Sequence, residues 1–269
     1  MDKPTGPGAA LLTVPDQRPG IVAGTSAPVS GKSLRVNNIN KAYGARVVVR
    51  NISLHLAPGE VAGLLGPNGA GKTTCFYMIT GLIPVDSGSI VLDGRDITDL
   101  PMIERAHFGL GYLPQETSVF RGLNVEQNIM AIVEMSVARR DRAHEITEEL
   151  LQELHIDRLR KVPAIALSGG DLRRVEIARA LAIDPAYMLL DEPFAGVDPL
   201  GIDDMCDAIA YLRRRGLGIL ITDHNVHVTL AIVDRASIIH DGEMLFEGSP
   251  DAVVNDPDVR RLYLGKGYR

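Results

Sequence analysis

Cysteine is scarce in this 269-residue chain: only Cys75 and Cys206 are present. Two isolated thiols form neither a metal-ligand spacing nor a disulfide framework, and a reducing compartment suits them. Cys75 follows a glycine-rich turn on an apolar segment and reads as a core thiol. Long apolar runs are also missing. No stretch reaches the ~18 apolar residues of a membrane span. Ala9–Val14 is short and ends at Pro15, a poor signal core. Action at a membrane would therefore need another chain to cross it. A basic excess is absent as well, with a formal net charge of −6. That excludes a bulk basic surface for nucleic acid. Internal repeats and sustained heptads are not seen. What remains is 45% apolar content, enough for one substantial core or a core with a subdomain.

Residues 1–33 are rich in Pro, Gly, Ala and Ser and lack aromatics. They bury too little apolar surface to offset ordering entropy and read as a mobile tail. Order is expected from Ser33 onward. Val47–Val49, Ile52–Leu56, Val61–Leu65 and Ser89–Asp93 read as strands. Asn124 followed by Gln127 forms a capping-box pattern that starts a helix. Apolar Ile146, Leu150, Leu151 and Leu154 recur at helical spacing, so about 117–182 reads as mainly helical. Strands and helices then alternate. Tyr187–Leu190, Leu217–Ile221, Ala236–His240 and Gly242–Phe246 are strands. Helices fill 200–215 and 226–233, and Ser249–Pro250 opens another. Asp198 caps the first of these, with Pro199 at its first position. This alternation predicts a largely parallel sheet covered on both faces.

The strongest motif is Gly66, Pro67, Asn68, Gly69, Ala70, Gly71, Lys72, Thr73. It matches the phosphate-binding pattern G-x-x-x-x-G-K-[ST] between a strand and a helix. Glycines let backbone N–H groups approach phosphate oxygens, and the helix N-terminus favours negative charge. Lys72 can reach the β- and γ-phosphates, and Thr73 can offer a hydroxyl to Mg²⁺. Asp191 and Glu192 end the apolar run from Tyr187. Adjacent strand residues point to opposite faces, so Asp191 can serve the Mg²⁺ shell while Glu192 polarises the attacking water. Ser168, Gly169 and Gly170 precede a helix and can form a second phosphate cradle. They can equally be a helix start with Asp171 in its first turn. One nucleotide could bridge two copies of such a chain. Gln115 could join the Mg²⁺ and water shell or be a surface amide. His224, at a parallel-strand end, could touch the γ-phosphate, although a lone His is more often structural. Tyr43 could stack an adenine, though a surface-strand Tyr is the simpler reading.

Taken together, these residues resemble the ATP-binding subunits of ABC transporters over about residues 34–269. The phosphate loop, Gln115, Leu167-Ser-Gly-Gly170, Asp191-Glu192, Ala195–Asp198 and His224 occur in that family's order. The resemblance implies an α/β fold: a P-loop NTPase (RecA-like) core with a mainly parallel sheet, a small antiparallel β-subdomain and an inserted helical subdomain. It implies ATP and Mg²⁺ as cofactors, with Thr74 also in the nucleotide cradle. It implies a head-to-tail dimer in which Ser168 of one copy meets the Lys72 loop of the other. Glu192 is then the general base, His224 the γ-phosphate switch, Tyr43 the adenine stack and Asp198 the link between sites.

A narrower resemblance is to the lipopolysaccharide-export ATPases of that family. It rests on Phe76-Tyr-Met78, Gly111–Glu116, Arg173–Arg179, Asp191–Pro199, Leu220–Asn225 and Tyr263-Leu-Gly265. It implies that Phe120 and Arg121 receive separate transmembrane permease subunits at the cytoplasmic face of an inner membrane. Asp171 departs from the Gln or Glu usual at the signature's end, and Lys266-Gly267 replaces an acidic pair. Two alternatives are an uptake ATPase of the branched-chain amino acid kind and a soluble ABC ATPase. The latter usually carries coiled-coil insertions or two tandem halves; this chain is too short for two halves, and its helical insert lacks sustained heptads.

Overall fold

The computed structural model describes residues 31–265 apart from Ala138, and nothing of the side chains of Pro199 and Leu200. The proposed tail lies almost entirely outside the described residues, as does Lys266-Gly267.

Two sheets organise the chain. β1 (Leu34–Tyr43), β2 (Arg46–Leu56), β4 (Ser87–Leu92) and β5 (Arg95–Asp96) form an antiparallel sheet in the order β2-β1-β4-β5. β3 (Val61–Leu65), β6 (Leu110–Leu113), β7 (Tyr187–Asp191), β8 (Gly218–Thr222), β9 (Arg235–His240) and β10 (Glu243–Gly248) form the second, ordered β10-β9-β3-β8-β7-β6. Only β10 runs antiparallel in it. The two strands expected at 47–49 and 52–56 are one strand. Asn51 takes the left-handed conformation at φ 50°, and the ladder with β1 shifts register between Ile39 and Lys41. That irregularity breaks the apolar alternation, which is why the run reads as two pieces.

Helices cover the second sheet and the gap between the two. They are α1 (Lys72–Thr80), α2 (Met102–His107), α3 (Val125–Ser136), α4 (Arg140–Glu153), α5 (Gly169–Leu181), α6 (Pro199–Arg214), α7 (Val226–Ile232) and α8 (Pro250–Asn255). The central strands feed two cores because their side chains alternate. Met188, Leu190, Ile219 and Ile221 join one core with Ile129, Leu151, Val175 and Leu212. Leu189, Leu220 and Leu64 join the other with Phe76, Ile79 and Leu34. Tyr187 is fully buried in the second core. Its hydroxyl donates to Asp93 Oδ1 at 2.7 Å, tying the two sheets together.

Short α2, with too few residues to show a period, carries the largest fully buried side chain among the described residues. Arg105 Nη1 donates to Met78 O and Ile79 O at 2.7 Å each, Nη2 to Thr98 O and Nε to Leu100 O. Burial pushes its pKa down to about 10, so the guanidinium stays charged at neutral pH. It satisfies the last carbonyls of α1, favourable both as hydrogen bonds and against the helix dipole. Gly81, at φ 81°, completes that terminus. Had it a Cβ, the carbon would lie 2.7 Å from Arg105 Nε.

Candidate active site

The loop between β3 and α1 owes its shape to three glycines. Gly66, Gly69 and Gly71 have φ of 149°, 79° and 106°, values that L side chains avoid. Space enforces the first and last. A Cβ on Gly66 would stand 2.1 Å from Ile239 O, and one on Gly71 2.8 Å from Val48 O. The loop therefore rests on β9 and β2. Ala70 O also accepts from Gly242 N at 3.1 Å, so the β9–β10 turn supports it. Asn68 and Gly69 are exposed at the tip, Pro67 is half-buried, and Gly66, Ala70 and Gly71 are buried.

Lys72 opens α1. Its ammonium donates to Gly66 O at 2.8 Å and Pro67 O at 3.0 Å. Burial holds its pKa below the ordinary lysine value, opposed by the carboxylates of Glu192, Asp191 and Asp223. Thr73 is exposed and Thr74 half-buried at the same helix start. Cys75 is fully buried, and burial pushes its thiol up to about 12.

Parallel pairing brings the other polar groups to the same sheet edge. Leu113 pairs with Leu190 and Asp191 with Thr222, so β6, β7 and β8 end side by side. Ligand sites of open α/β sheets form at such strand ends. Asp191 is buried, and desolvation raises its carboxyl above the usual range. Tyr112 donates its hydroxyl to Asp191 Oδ2 at 3.2 Å. Glu192 accepts from Gln115 Nε2 at 2.9 Å. His224 Nδ1 lies 3.6 Å from the same Glu192 oxygen, with its side chain mostly exposed.

Gln115 is held by a buried ion pair on α5. Arg173 Nη2 donates to Gln115 O at 3.0 Å and Nη1 to Pro114 O at 3.0 Å. Nη1 also pairs with Glu176 Oε2 at 2.8 Å, and Glu176 Oε1 accepts from Ser118 N at 2.6 Å. Helix α5 and the Gln115 segment are thus joined through groups with no exposure to spare.

Lys72, Gln115, Asp191, Glu192 and His224 converge. The remaining sequence-predicted residues stand elsewhere. Ser168 caps α5; its hydroxyl bonds to Asp171 Oδ2 at 2.7 Å and accepts from Asp171 N at 3.2 Å. Asp171 also pairs with Arg158 at 3.3 Å. Ser168 and Gly169 are exposed and Gly170 is half-buried. No hydrogen bond or ion pair among the described residues joins them to the phosphate loop. Tyr43 ends β1, 53% exposed, with Lys41 Nζ 5.8 Å from its ring centre. Asp198 caps α6, accepting from Gly201 N at 2.8 Å. Phe120 is 48% exposed, and the Arg179 guanidinium stacks 4.7 Å from its ring centre. Arg121 beside it is exposed.

Two polar residues of the site were missed. Tyr112 is not legible as a site residue in the sequence, because a strand Tyr usually packs. Asp223 carries a signal in the sequence all the same, since a carboxylate just past an apolar strand must find donors.

The ABC transporter family model matches residues 49–195, more than half of the chain. This chain belongs to the ABC transporter family. A shorter match, to the branched-chain amino acid ATP-binding cassette transporter family, covers 243–269. A probable ABC transporter ATP-binding protein of Azorhizobium caulinodans is 58% identical over 237 residues, 88% of this chain and 84% of that one. The lipopolysaccharide export system ATP-binding protein LptB of Escherichia coli K12 is 50% identical, covering 88% of this chain and 99% of its own. LptB of Acidithiobacillus ferridurans is 54% identical, covering 88% and 98%. A crystal structure of an ATP-binding cassette of an ABC transporter in its ADP conformation superposes with TM-score 0.77 at 29% identity, covering 87% of this chain and 99% of that one. The chain is thus an ATP-binding, ATP-hydrolysing ABC transporter subunit with the α/β fold of its neighbours. No helix among the described residues is long and apolar enough to cross a membrane.

Proposed function

We propose that this subunit powers lipopolysaccharide export, working at the cytoplasmic face of an inner membrane beneath separate permease chains. The observation that carries this is 50–54% identity to proteins named for that export, spanning 98–99% of their length. Exposed Phe120 and Arg121, beside the Arg179 guanidinium, offer an aromatic and cationic surface for a permease helix.

In this reading Lys72 exchanges its two loop carbonyls for the β- and γ-phosphates. Glu192 orients and deprotonates the attacking water, and Gln115 leaves Glu192 to join the Mg²⁺ and water shell. His224 touches the γ-phosphate from the end of β8. Tyr43 stacks the adenine. Thr73, Gln115 and Asp191 are oxygen donors of the kind a hard divalent cation takes, and their small number suits Mg²⁺, which keeps its waters. When bound, Mg²⁺ neutralises phosphate charge. Ser168, Gly169 and Gly170 of a second copy complete the cradle, with Asp198 between the two sites. ATP favours the closed dimer, and loss of the γ-phosphate reopens it.

The test is purification of the tagged chain from native membranes, with identification of its permeases. In a depletion strain, new lipopolysaccharide should stop reaching the surface while labelled leucine uptake continues. The match over 243–269 favours a second reading, branched-chain amino acid uptake. Loss of leucine uptake with normal lipopolysaccharide arrival would establish that reading instead.

A further inference from the structure

Asp223 follows β8 and is fully buried. Both its oxygens accept backbone amides, and the two amides belong to different loops. Phe194 N donates to Oδ2 at 2.9 Å, and Asn225 N to Oδ1 at 2.7 Å. His224 Nδ1 lies 3.5 Å from Oδ1.

These contacts extend the sheet beyond its last strand pair. The β7–β8 ladder ends at Asp191 and Thr222. Glu192 N then reaches Thr222 O at 2.7 Å. One step farther no backbone partner is in place, and the Asp223 carboxylate takes that position on Phe194. The Phe194 side chain is itself buried, 4% exposed, so its amide is a fixed point. From it the chain runs to Asp198, the cap of α6.

We propose that Asp223 is a positioning residue that locks the His224 loop to the Phe194–Asp198 loop, so that the two move as one piece. A buried carboxylate is costly unless satisfied. Here two amide donors, one on each oxygen, meet it. The anion matters because both facing groups are donors. A carboxamide can accept from one of them and must present its own N–H₂ to the other. Through this lock, a displacement of His224 by the γ-phosphate is delivered to the segment carrying Asp198. Asp223 touches neither nucleotide nor water in this scheme.

The inference rests on the proposed roles of Glu192 and His224, and the experiment separates the two. Full-length D223N, H224A and the double variant are assayed for ATP turnover, for binding of a fluorescent ATP analogue and for melting temperature. D223N should lower kcat by about tenfold or more, the scale of a misplaced catalytic group. Analogue affinity should stay within about threefold of the parent, since nothing that binds phosphate is removed. The double variant should be no slower than H224A, because one lock serves one switch. Losses that multiply, an unchanged kcat in D223N, or a D223N defect confined to nucleotide affinity would each overturn the proposal. Wild-type turnover by H224A would instead sink the reading of His224, and this inference with it. If D223N fails to fold, native-state deuterium exchange decides. The amides of Phe194 and Asn225 should be protected to the same degree, and should remain so when the ATP analogue binds, because the lock must hold to transmit the displacement. Independent exchange of the two would refute the lock.

Discussion

At φ 47°, Glu192 occupies a conformation that residues with a Cβ avoid. Such strain costs on the order of 1–3 kcal/mol and persists where surrounding contacts over-determine it. Two contacts do so here. Its amide is fixed to Thr222 O at 2.7 Å, and its carboxylate accepts from Gln115 at 2.9 Å. The turn aims the side chain out of the strand end, beside His224 and away from the buried Asp191 position. Glu192→Gln keeps the size and the Gln115 neighbour but removes the negative charge. Turnover should fall at least about 100-fold, the usual contribution of a general base, while the variant accumulates as an ATP-bound dimer. Phosphate release and gel filtration with ATP read both effects. Undiminished hydrolysis would remove Glu192 from the role of base.

The elements are set by their ends as much as by their faces. Helix α1 has no side-chain cap at its start, where the phosphate loop's own amides gather, and Arg105 closes its far end. Helix α3 shows the opposite arrangement. Asn124 Oδ1 accepts from Gln127 N at 2.8 Å, and Gln127 Oε1 accepts from Asn124 N at 3.1 Å. Asn124→Ala removes the first bond and should cost about 1 kcal/mol, as N-caps typically do. Urea denaturation should show a lower midpoint at unchanged slope, with ATP turnover retained. A loss of activity larger than the loss of stability would mean that α3 serves the chemistry directly.

At the scale of the whole molecule, no hydrogen bond or ion pair among the described residues joins the Lys72 loop to the proposed second cradle at Ser168. The Lys72 loop sits at the edge of the second sheet. Ser168 is exposed at the start of α5, where its hydroxyl is engaged with Asp171. A single copy therefore has a binding site for ATP and half of the proposed cradle for hydrolysis. Specific ATPase activity should rise with protein concentration and fall on dilution, while ATP-analogue binding per chain stays constant. Light scattering on the same samples would follow the dimer. Constant specific activity from nanomolar to micromolar chain, with monomer mass throughout, would rule out the shared cradle.

Local chemistry made much of this legible in advance. The spacing of Gly66, Gly71 and Lys72 is demanded by phosphate geometry and needs no partner. Caps at Asn124, Asp198 and Ser249 are decided within four residues, and all three accept the expected backbone amides. Apolar runs named β3, β7 and β8 because strands buried on both faces admit little else. Long-range pairing was out of reach. β2 reads as two strands because its irregularity is set against β1. Short α2 has too few residues for a period, and Arg105 closes α1 through Met78 O and Ile79 O, carbonyls more than twenty residues away. Tyr112 and Asp223 are ordinary letters in the sequence.

By itself, then, the sequence determined that this protein binds a nucleotide phosphate and alternates strands with helices, since both follow from near-neighbour sterics and hydrogen bonding. Only the tertiary structure decided which carboxylate takes which neighbour. Adjacent Asp191 and Glu192 part at a strand end, one to Tyr112 and burial, the other to Gln115 and His224. That division depends on where β6 and β8 end beside β7, a matter of register across the sheet that no local pattern encodes.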